Sequence, residues 1–327
     1  MTFAKKAFLL SGAALIGFGT TAAVANTALN GAGATFPAPF YQSAFAGLAS
    51  SGIRVNYQSV GSGAGVRQFV AGTVDFGATD EPIKKSEIAK VKRGVVQFPA
   101  VGGTIAIAYN KPGCSGLKLT QAQAAGIFLG EIRSWDALKC GKGPITVVHR
   151  SDGSGTTFAF TNSLSAFSPE WKQKVGEGKS VKWPVGVGGK GNEGVAGTIS
   201  NTPGSIGYLN QSFVRGPIKA AALQNRAGKF VMPGLKGGRA ALANIQLDDN
   251  LAGEDPNPGG AASYPISTLT WILAYEKGNG PKAGDIRKAM LYLLSPAAQN
   301  KADDLGYVPL DSSVLKVAKK AVAGIGQ

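Results

Sequence analysis

Three places along this chain join glycines, small hydroxyl residues and a helical spacing of apolar residues, and this recurrence constrains the fold more than any other feature. The strongest is Arg150-Ser151-Asp152-Gly153-Ser154-Gly155-Thr156-Thr157. Ile145-Thr146-Val147-Val148 before it has strand character. Phe158, Phe160 and Leu164 follow at roughly helical spacing, so Ser154 is placed as a helix N-cap. In the second, Val55-Asn56-Tyr57-Gln58-Ser59-Val60 reads as a strand that reaches Gly61-Ser62-Gly63-Ala64-Gly65, with Ser62 as the cap of a helix carrying Val66, Phe69 and Val70. In the third, Gly31-Ala32-Gly33-Ala34-Thr35-Phe36-Pro37-Ala38-Pro39, Thr35 is placed as the cap, and a proline sits just inside a helix running toward Leu48.

A helix start carries roughly half a positive charge together with unpaired N–H donors, and Arg150 adds a planar fork suited to phosphate or carboxylate. Taken alone, the Arg150 segment fits an ordinary Asp/Ser/Gly turn capping a surface helix equally well. Three such starts in one chain are harder to dismiss.

At 327 residues the chain exceeds what one core usually fills, so two lobes are expected, and 44% hydrophobic content is enough to pack them. Its 47 glycines are spread among periodic segments with no fixed repeat, which points to tight turns and close backbone approaches. The N-terminus reads as an export signal over residues 1–25: Lys5 and Lys6 are a basic start, Ala7 to Phe18 an apolar stretch, and Ala23-Val24-Ala25 a small-residue cleavage site. The apolar run is short and broken by glycine, and no later segment approaches the ~20 apolar residues of a membrane span. No cysteine follows the cleavage site, so a freely diffusing exported protein is expected.

Cys114 and Cys140 are the only cysteines and are expected to pair in an oxidising compartment. With His149 the single histidine, too few ligands remain for a closed zinc or iron–sulfur site, so no metal and no cofactor is expected. The net charge of +15, of which Lys5 and Lys6 supply two, draws anions, yet it is not gathered into a run. The densest group, Lys84, Lys85, Lys90, Lys92 and Arg93, lacks the aromatic interleaving of a single-strand binder, and no nucleic-acid partner is expected.

Nucleotide loops fit poorly. Gly189-Lys190 is followed by Gly191 rather than Ser or Thr, position 184 is proline where a phosphate loop needs glycine, and Gly61 to Val66 lacks a full dinucleotide fingerprint. Asp80 ends the strand-like Thr73-Val74-Asp75-Phe76-Gly77-Ala78-Thr79. An acid is a poor partner for a fully ionised anion, so if Asp80 faces a ligand, that ligand still bears a proton, as hydrogen phosphate does and sulfate does not. Asp80 as a cap of the helix at Lys84 to Lys90, or as the partner of a lysine, fits the residues equally well.

The chain resembles the phosphate-binding proteins that feed the bacterial ABC phosphate transporter. The resemblance covers nearly the whole mature chain through residues 31–39, Val-Asn-Tyr-Gln at 55–58, Val-Asp-Phe-Gly-Ala at 74–78, Asp-Gly-Ser-Gly-Thr at 152–156, Trp-Pro-Val-Gly-Val-Gly-Gly-Lys-Gly-Asn at 183–192 and Pro-Gly-Ser-Ile-Gly-Tyr at 203–208. It implies an α/β, two-lobed periplasmic-binding fold (type II-like), each lobe a mixed sheet flanked by helices, with the ligand in the cleft between. The extended segments Gly103–Asn110 and Ile266–Tyr275 suit the two crossings. Lobe I then combines residues 26–105 with 266–327, where helices around Asp285 to Leu294 and Val314 to Ala323 return, and lobe II is 106–265.

Residue by residue, the family's ligand contacts fall on Thr35, the amide of Phe36, Ser62, Asp80, Arg150, Ser154, Gly155 and Thr156, with Asp152 orienting Arg150. The loop at 61–65 departs from the commoner Gly-Ser-Ser-Gly-Gly form, so only Ser62 carries over there. The implied function is high-affinity binding of inorganic phosphate, without catalysis, by a periplasmic monomer that hands it to the transmembrane permease subunits of the importer. Another oxyanion such as sulfate or molybdate is the nearest rival within that class. An exported phosphatase using Ser154 with His149 and Asp152 is the rival outside it, and a surface-adhesion role would leave the hydroxyl-bearing helix starts unexplained.

Overall fold

The computed structural model describes Thr2, residues 27–243 and residues 245–326; the expected export signal, 1–25, therefore lies outside the described residues apart from Thr2. Its strands are β1 (Thr27–Gly33), β2 (Ile53–Ser59), β3 (Phe76–Thr79), β4 (Val96–Asn110), β5 (Lys118–Leu119), β6 (Thr146–Arg150), β7 (Val187–Gly189), β8 (Ser205–Asn210), β9 (Lys219–Ala220), β10 (Ala222–Gln224), β11 (Phe230–Val231) and β12 (Ser267–Ala274). Among the described residues, one mixed sheet runs β2-β1-β3-β12-β4-β8-β6-β7, with β9 also paired to β4, and β11-β10-β5 form a small second sheet.

β1 lies parallel to β2 and β3, and β6 lies parallel to β7 and β8. β4 joins the two halves. Its first part pairs antiparallel with β12 as far as Thr104, and from Ile105 to Asn110 it pairs antiparallel with β8. Fifteen residues of strand span roughly 50 Å, long enough to serve both halves. β4 thus begins seven residues before the extended segment read from the sequence, while β12 falls within Ile266–Tyr275. At the C-terminus, Ala283–Leu293 and Ser312–Val322 are helical as expected, and Pro296–Asp304 between them is a further helix, capped by Ser295.

Parallel strands need crossovers, and here each crossover helix starts just past a strand's carboxyl end. Helices Ala38–Ala46, Ser62–Ala71, Gly155–Phe167 and Gly191–Asn201 follow β1, β2, β6 and β7 respectively. Small residues permit the close seating: a Cβ on Gly65 would stand 2.7 Å from the carbonyl oxygen of Ala32 in β1, so that helix can lie on the sheet only with glycine there. The two halves carry separate aromatic packing. Phe36, Phe40, Tyr41 and Tyr307 mesh on one side, while the Phe160 ring stacks on Tyr208 at 4.1 Å on the other.

Two expected caps are corrected. Ser154 does cap its helix, accepting the Thr157 amide at 2.9 Å, but Thr35 and Ser62 do not. Pro37 and Gly61 occupy those N-cap positions without a side-chain bond, and the two hydroxyls are drawn into tertiary contacts instead. Cys114 and Cys140 form a disulfide with Cα atoms 5.2 Å apart, closing a loop of sequence separation 26. Among the described residues no helix is long and apolar enough to cross a membrane. Loop-closure entropy makes the bridge worth about 3 kcal/mol. A Cys114→Ala/Cys140→Ala chain is expected to lose about that much in urea unfolding, and an unchanged midpoint would contradict it.

Candidate anion-binding site

All eight candidate positions read from the sequence are buried and lie at or just past the carboxyl ends of β1, β2, β3 and β6, where hydrogen bonds link Ser62, Asp80 and Thr156 and, through Asn192, Thr35. From one half come Thr35, Phe36, Ser62 and Asp80. From the other come Arg150, Ser154, Gly155 and Thr156.

Asp80 is the hub. Its amide donates to Ser62 Oγ at 3.2 Å, and its carboxylate accepts from Thr270 Oγ1 at 2.9 Å and from Thr156 Oγ1 at 3.2 Å. It neither caps the helix Lys85–Ile88, whose start is closed by Lys84 and Glu87, nor pairs with a lysine; Glu81 takes Lys84 and Lys179, at 3.2 and 3.0 Å. Burial pushes the Asp80 carboxyl up to about 6, against the downward pull of the Thr270 hydrogen bond, the Arg150 charge and the Thr156 hydrogen bonds.

Arg150 is held by its neighbour two residues on. Nε and Nη2 donate to the two oxygens of Asp152 at 2.8 and 2.6 Å, the bidentate geometry that suits a guanidinium. Burial raises the Asp152 carboxyl, but the Arg150 hydrogen bonds and charge, with the Gly191 amide, bring it below its ordinary value. Tyr208 Oη accepts the Arg150 amide at 3.1 Å and fixes the end of β6. The third guanidinium nitrogen, Nη1, is buried with no acceptor from the protein. A buried charged donor left unmatched is costly, so this atom marks a place built for an external acceptor.

The halves approach closely around these groups. The Gly63 amide donates to the Gly153 carbonyl at 2.8 Å, and Ser59 Oγ donates to Glu193 at 2.9 Å. A Cβ on Gly155 would lie 2.7 Å from both the Asp80 amide nitrogen and Ser62 Oγ, so glycine alone lets that helix start reach the opposite half. With its cap supplied by Ser154, the helix presents the first-turn amides of Gly155 and Thr156 and its positive end to the same spot.

The phosphatase arrangement is not assembled. Asp152 is bound to Arg150, Ser154 caps its own helix, and His149 stacks on Trp183 with ring centroids 4.9 Å apart. Among the described residues no group of three or more His, Cys, Asp or Glu could hold a metal ion. Two residues of the site escape sequence reasoning. Asn192, at the start of the helix after β7, bonds both Thr35 and Thr156. Its signal was present, since Gly188-Gly189-Lys190-Gly191 is a fourth strand–glycine–helix junction, but that run enters the sequence reading only as a failed nucleotide loop and as part of the family resemblance, with no role given to Asn192. Thr270 lies inside an apolar strand and carries no local signal.

A family model described as a PBP superfamily domain matches residues 20–297. The chain is 42% identical over 308 residues to the phosphate-binding protein PstS of Pasteurella multocida, covering 88% of both. The chain belongs to this family of phosphate-binding proteins. In three dimensions it is similar to a high-affinity periplasmic phosphate-binding protein, PfluDING, solved with phosphate bound: TM-score 0.76 at 22% identity, covering 92% of this chain and 99% of that one. It is also similar to an ABC-type phosphate transport receptor of Vibrio cholerae, with TM-score 0.57 at 18% identity over 86% and 99%. These two likenesses establish the shared two-lobed α/β binding-protein fold.

Within this family member, Asp152 is what makes a buried Arg150 tolerable. Asp152→Ala leaves the guanidinium unpaired in the cleft and is expected to cost on the order of 3 kcal/mol in chemical unfolding; a loss well under 1 kcal/mol would show that Arg150 does not depend on it.

Proposed function

We propose that the chain binds inorganic phosphate, as hydrogen phosphate, between its lobes and delivers it to the transmembrane permease subunits of an ABC phosphate importer. The observation that carries this reading is a pair of opposites in one buried site: Arg150 Nη1 with no acceptor, and Asp80 with no cation bonded to it. Arg150 requires an anion. Asp80 repels a fully ionised one. An anion that still bears a proton satisfies both, donating that proton to Asp80 while its other oxygens accept from Arg150.

On this reading Thr35, the Phe36 amide, Ser62, Ser154 and the amides of Gly155 and Thr156 supply neutral donors, Arg150 supplies the one strong cationic contact, and Asp152 orients it and moderates its charge. Lobe I is residues 26–105 with 266–327 and lobe II is 106–265; the exchange of β4 partners between Thr104 and Ile105 supports that division. The protein is exported with its leader cleaved near Ala25, acts as a periplasmic monomer, and performs no catalysis. The names of its relatives and the separate commitments of Ser154, His149 and Asp152 support a carrier over a phosphatase.

Selectivity then depends on the proton of Asp80. Above pH ~6 its carboxylate accepts and turns away sulfate; below, it carries a proton of its own and can donate to a bare oxygen. Exclusion of sulfate is therefore expected to be strong at pH 8 and to erode as pH falls through about 6, measured as the ratio of phosphate to sulfate Kd in a pH series. A ratio flat from pH 8 to pH 5 would contradict the assignment. Sites of this kind reject an analogue by roughly 10⁴-fold or more. Asp80→Asn, whose amide can donate at any pH, is expected to lose most of that discrimination; a variant with wild-type selectivity would sink the proton-reading account.

A further inference from the structure

We propose that Asn192 is a positioning residue that makes the Thr35 hydroxyl a pure donor toward the bound anion. This rests on the phosphate-binding reading and deepens it. Asn192 is fully buried, and it meets Thr35 twice: its backbone amide and its side-chain Nδ2 both donate to Thr35 Oγ1, at 3.0 and 2.8 Å.

A hydroxyl has one proton to give and two lone pairs to receive. Both receiving places on Thr35 are filled by Asn192, so the one hydrogen bond left to that oxygen is the one in which it donates. An unconstrained threonine hydroxyl can turn either way, and a lone pair turned toward an anion repels it. Filling both lone pairs from behind removes that option before the ligand arrives.

The amide cannot flip out of this role. Asn192 Oδ1 accepts the Asn210 backbone amide at 2.8 Å, and a flipped side chain would set Nδ2 against that N–H. Nδ2 also donates to Thr156 Oγ1 at 3.2 Å, and the Thr156 hydroxyl in turn donates to Asp80 at 3.2 Å. One amide thereby bonds two hydroxyls carried by opposite halves of the protein, but only at Thr35 does Asn192 fill both lone pairs; the direction of Thr156 is set by Asp80. Aspartate in its place could not donate through its side chain and would invite the Thr35 proton back toward itself.

A residue that merely ties the halves together would change stability without acting through Thr35. The test is a double-mutant cycle on phosphate Kd, by titration calorimetry, with wild type, Asn192→Ala, Thr35→Ala and the double variant, each also followed by thermal unfolding without ligand. Each single change is expected to weaken binding on the order of 10- to 100-fold. The double variant is expected to bind no worse than the weaker single one within about twofold, because Thr156 keeps its direction through its own bond to Asp80 and Asn192 acts on the anion through the Thr35 hydroxyl. Losses that multiply, or wild-type affinity in Asn192→Ala, overturn the proposal. If Asn192→Ala does not fold, Asn192→Ser enters the same cycle with the same criterion. Wild-type protein that binds no phosphate overturns the phosphate reading and this role with it, whereas wild-type binding with multiplying losses overturns the Asn192 role alone.

Discussion

The buried guanidinium of Arg150 is the constraint on which the rest of the site depends. An isolated charge at that depth would be prohibitively costly, so the structure gives two of its nitrogens to Asp152 and leaves the third unmatched. Asp152 offsets the guanidinium charge while one guanidinium nitrogen keeps its donors free. A site so arranged attracts an anion but does not hold a naked cation for it, and the remaining donors are neutral hydroxyls and amides. Asp80 opposes the attraction from the other side of the cleft, and the balance between the two favours a ligand that is negative and protonated at once.

The fold delivers these groups without special devices. Parallel strands end at one edge, helices begin at that edge, and helix beginnings are rich in unpaired amides. Two such edges face one another because β4 is long enough to belong to both halves of the sheet. Glycine at 155 allows the helix start on one side to come within contact of Asp80 and Ser62 on the other. The close approach and the chemistry therefore share their residues: the glycines that permit contact are interleaved with the hydroxyls that make the site.

Much of this was legible in the chain because it is local. The helix cap at Ser154 lies within three residues of the amide it takes, and a strand–glycine–helix junction can be read from spacing alone; the pairing of Arg150 with Asp152, though just as local, came from the family resemblance, since an acid there reads equally well as a turn residue. The capping expected of Thr35 and Ser62 fails because a hydroxyl near a helix start has a default local use, whereas the partners that claim these oxygens lie far along the chain: Asp80 in the same half for Ser62, and Asn192 in the opposite half for Thr35. Asp80 stayed ambiguous for the same reason, its partners Thr156 and Thr270 being 76 and 190 residues away. Asn192 went unread although its junction resembled the others, since its contact with Thr35 spans 157 positions and no pattern within the sequence indicates such a pairing.

The account stands or falls on whether the cleft distinguishes a protonated tetrahedral anion from one with no proton. The direct measurement is calorimetric titration of the mature, phosphate-stripped protein at pH 8 with phosphate and, separately, with sulfate. One-to-one binding of phosphate with no sulfate heat is the predicted result; comparable binding of both would keep the fold and remove Asp80 from the explanation.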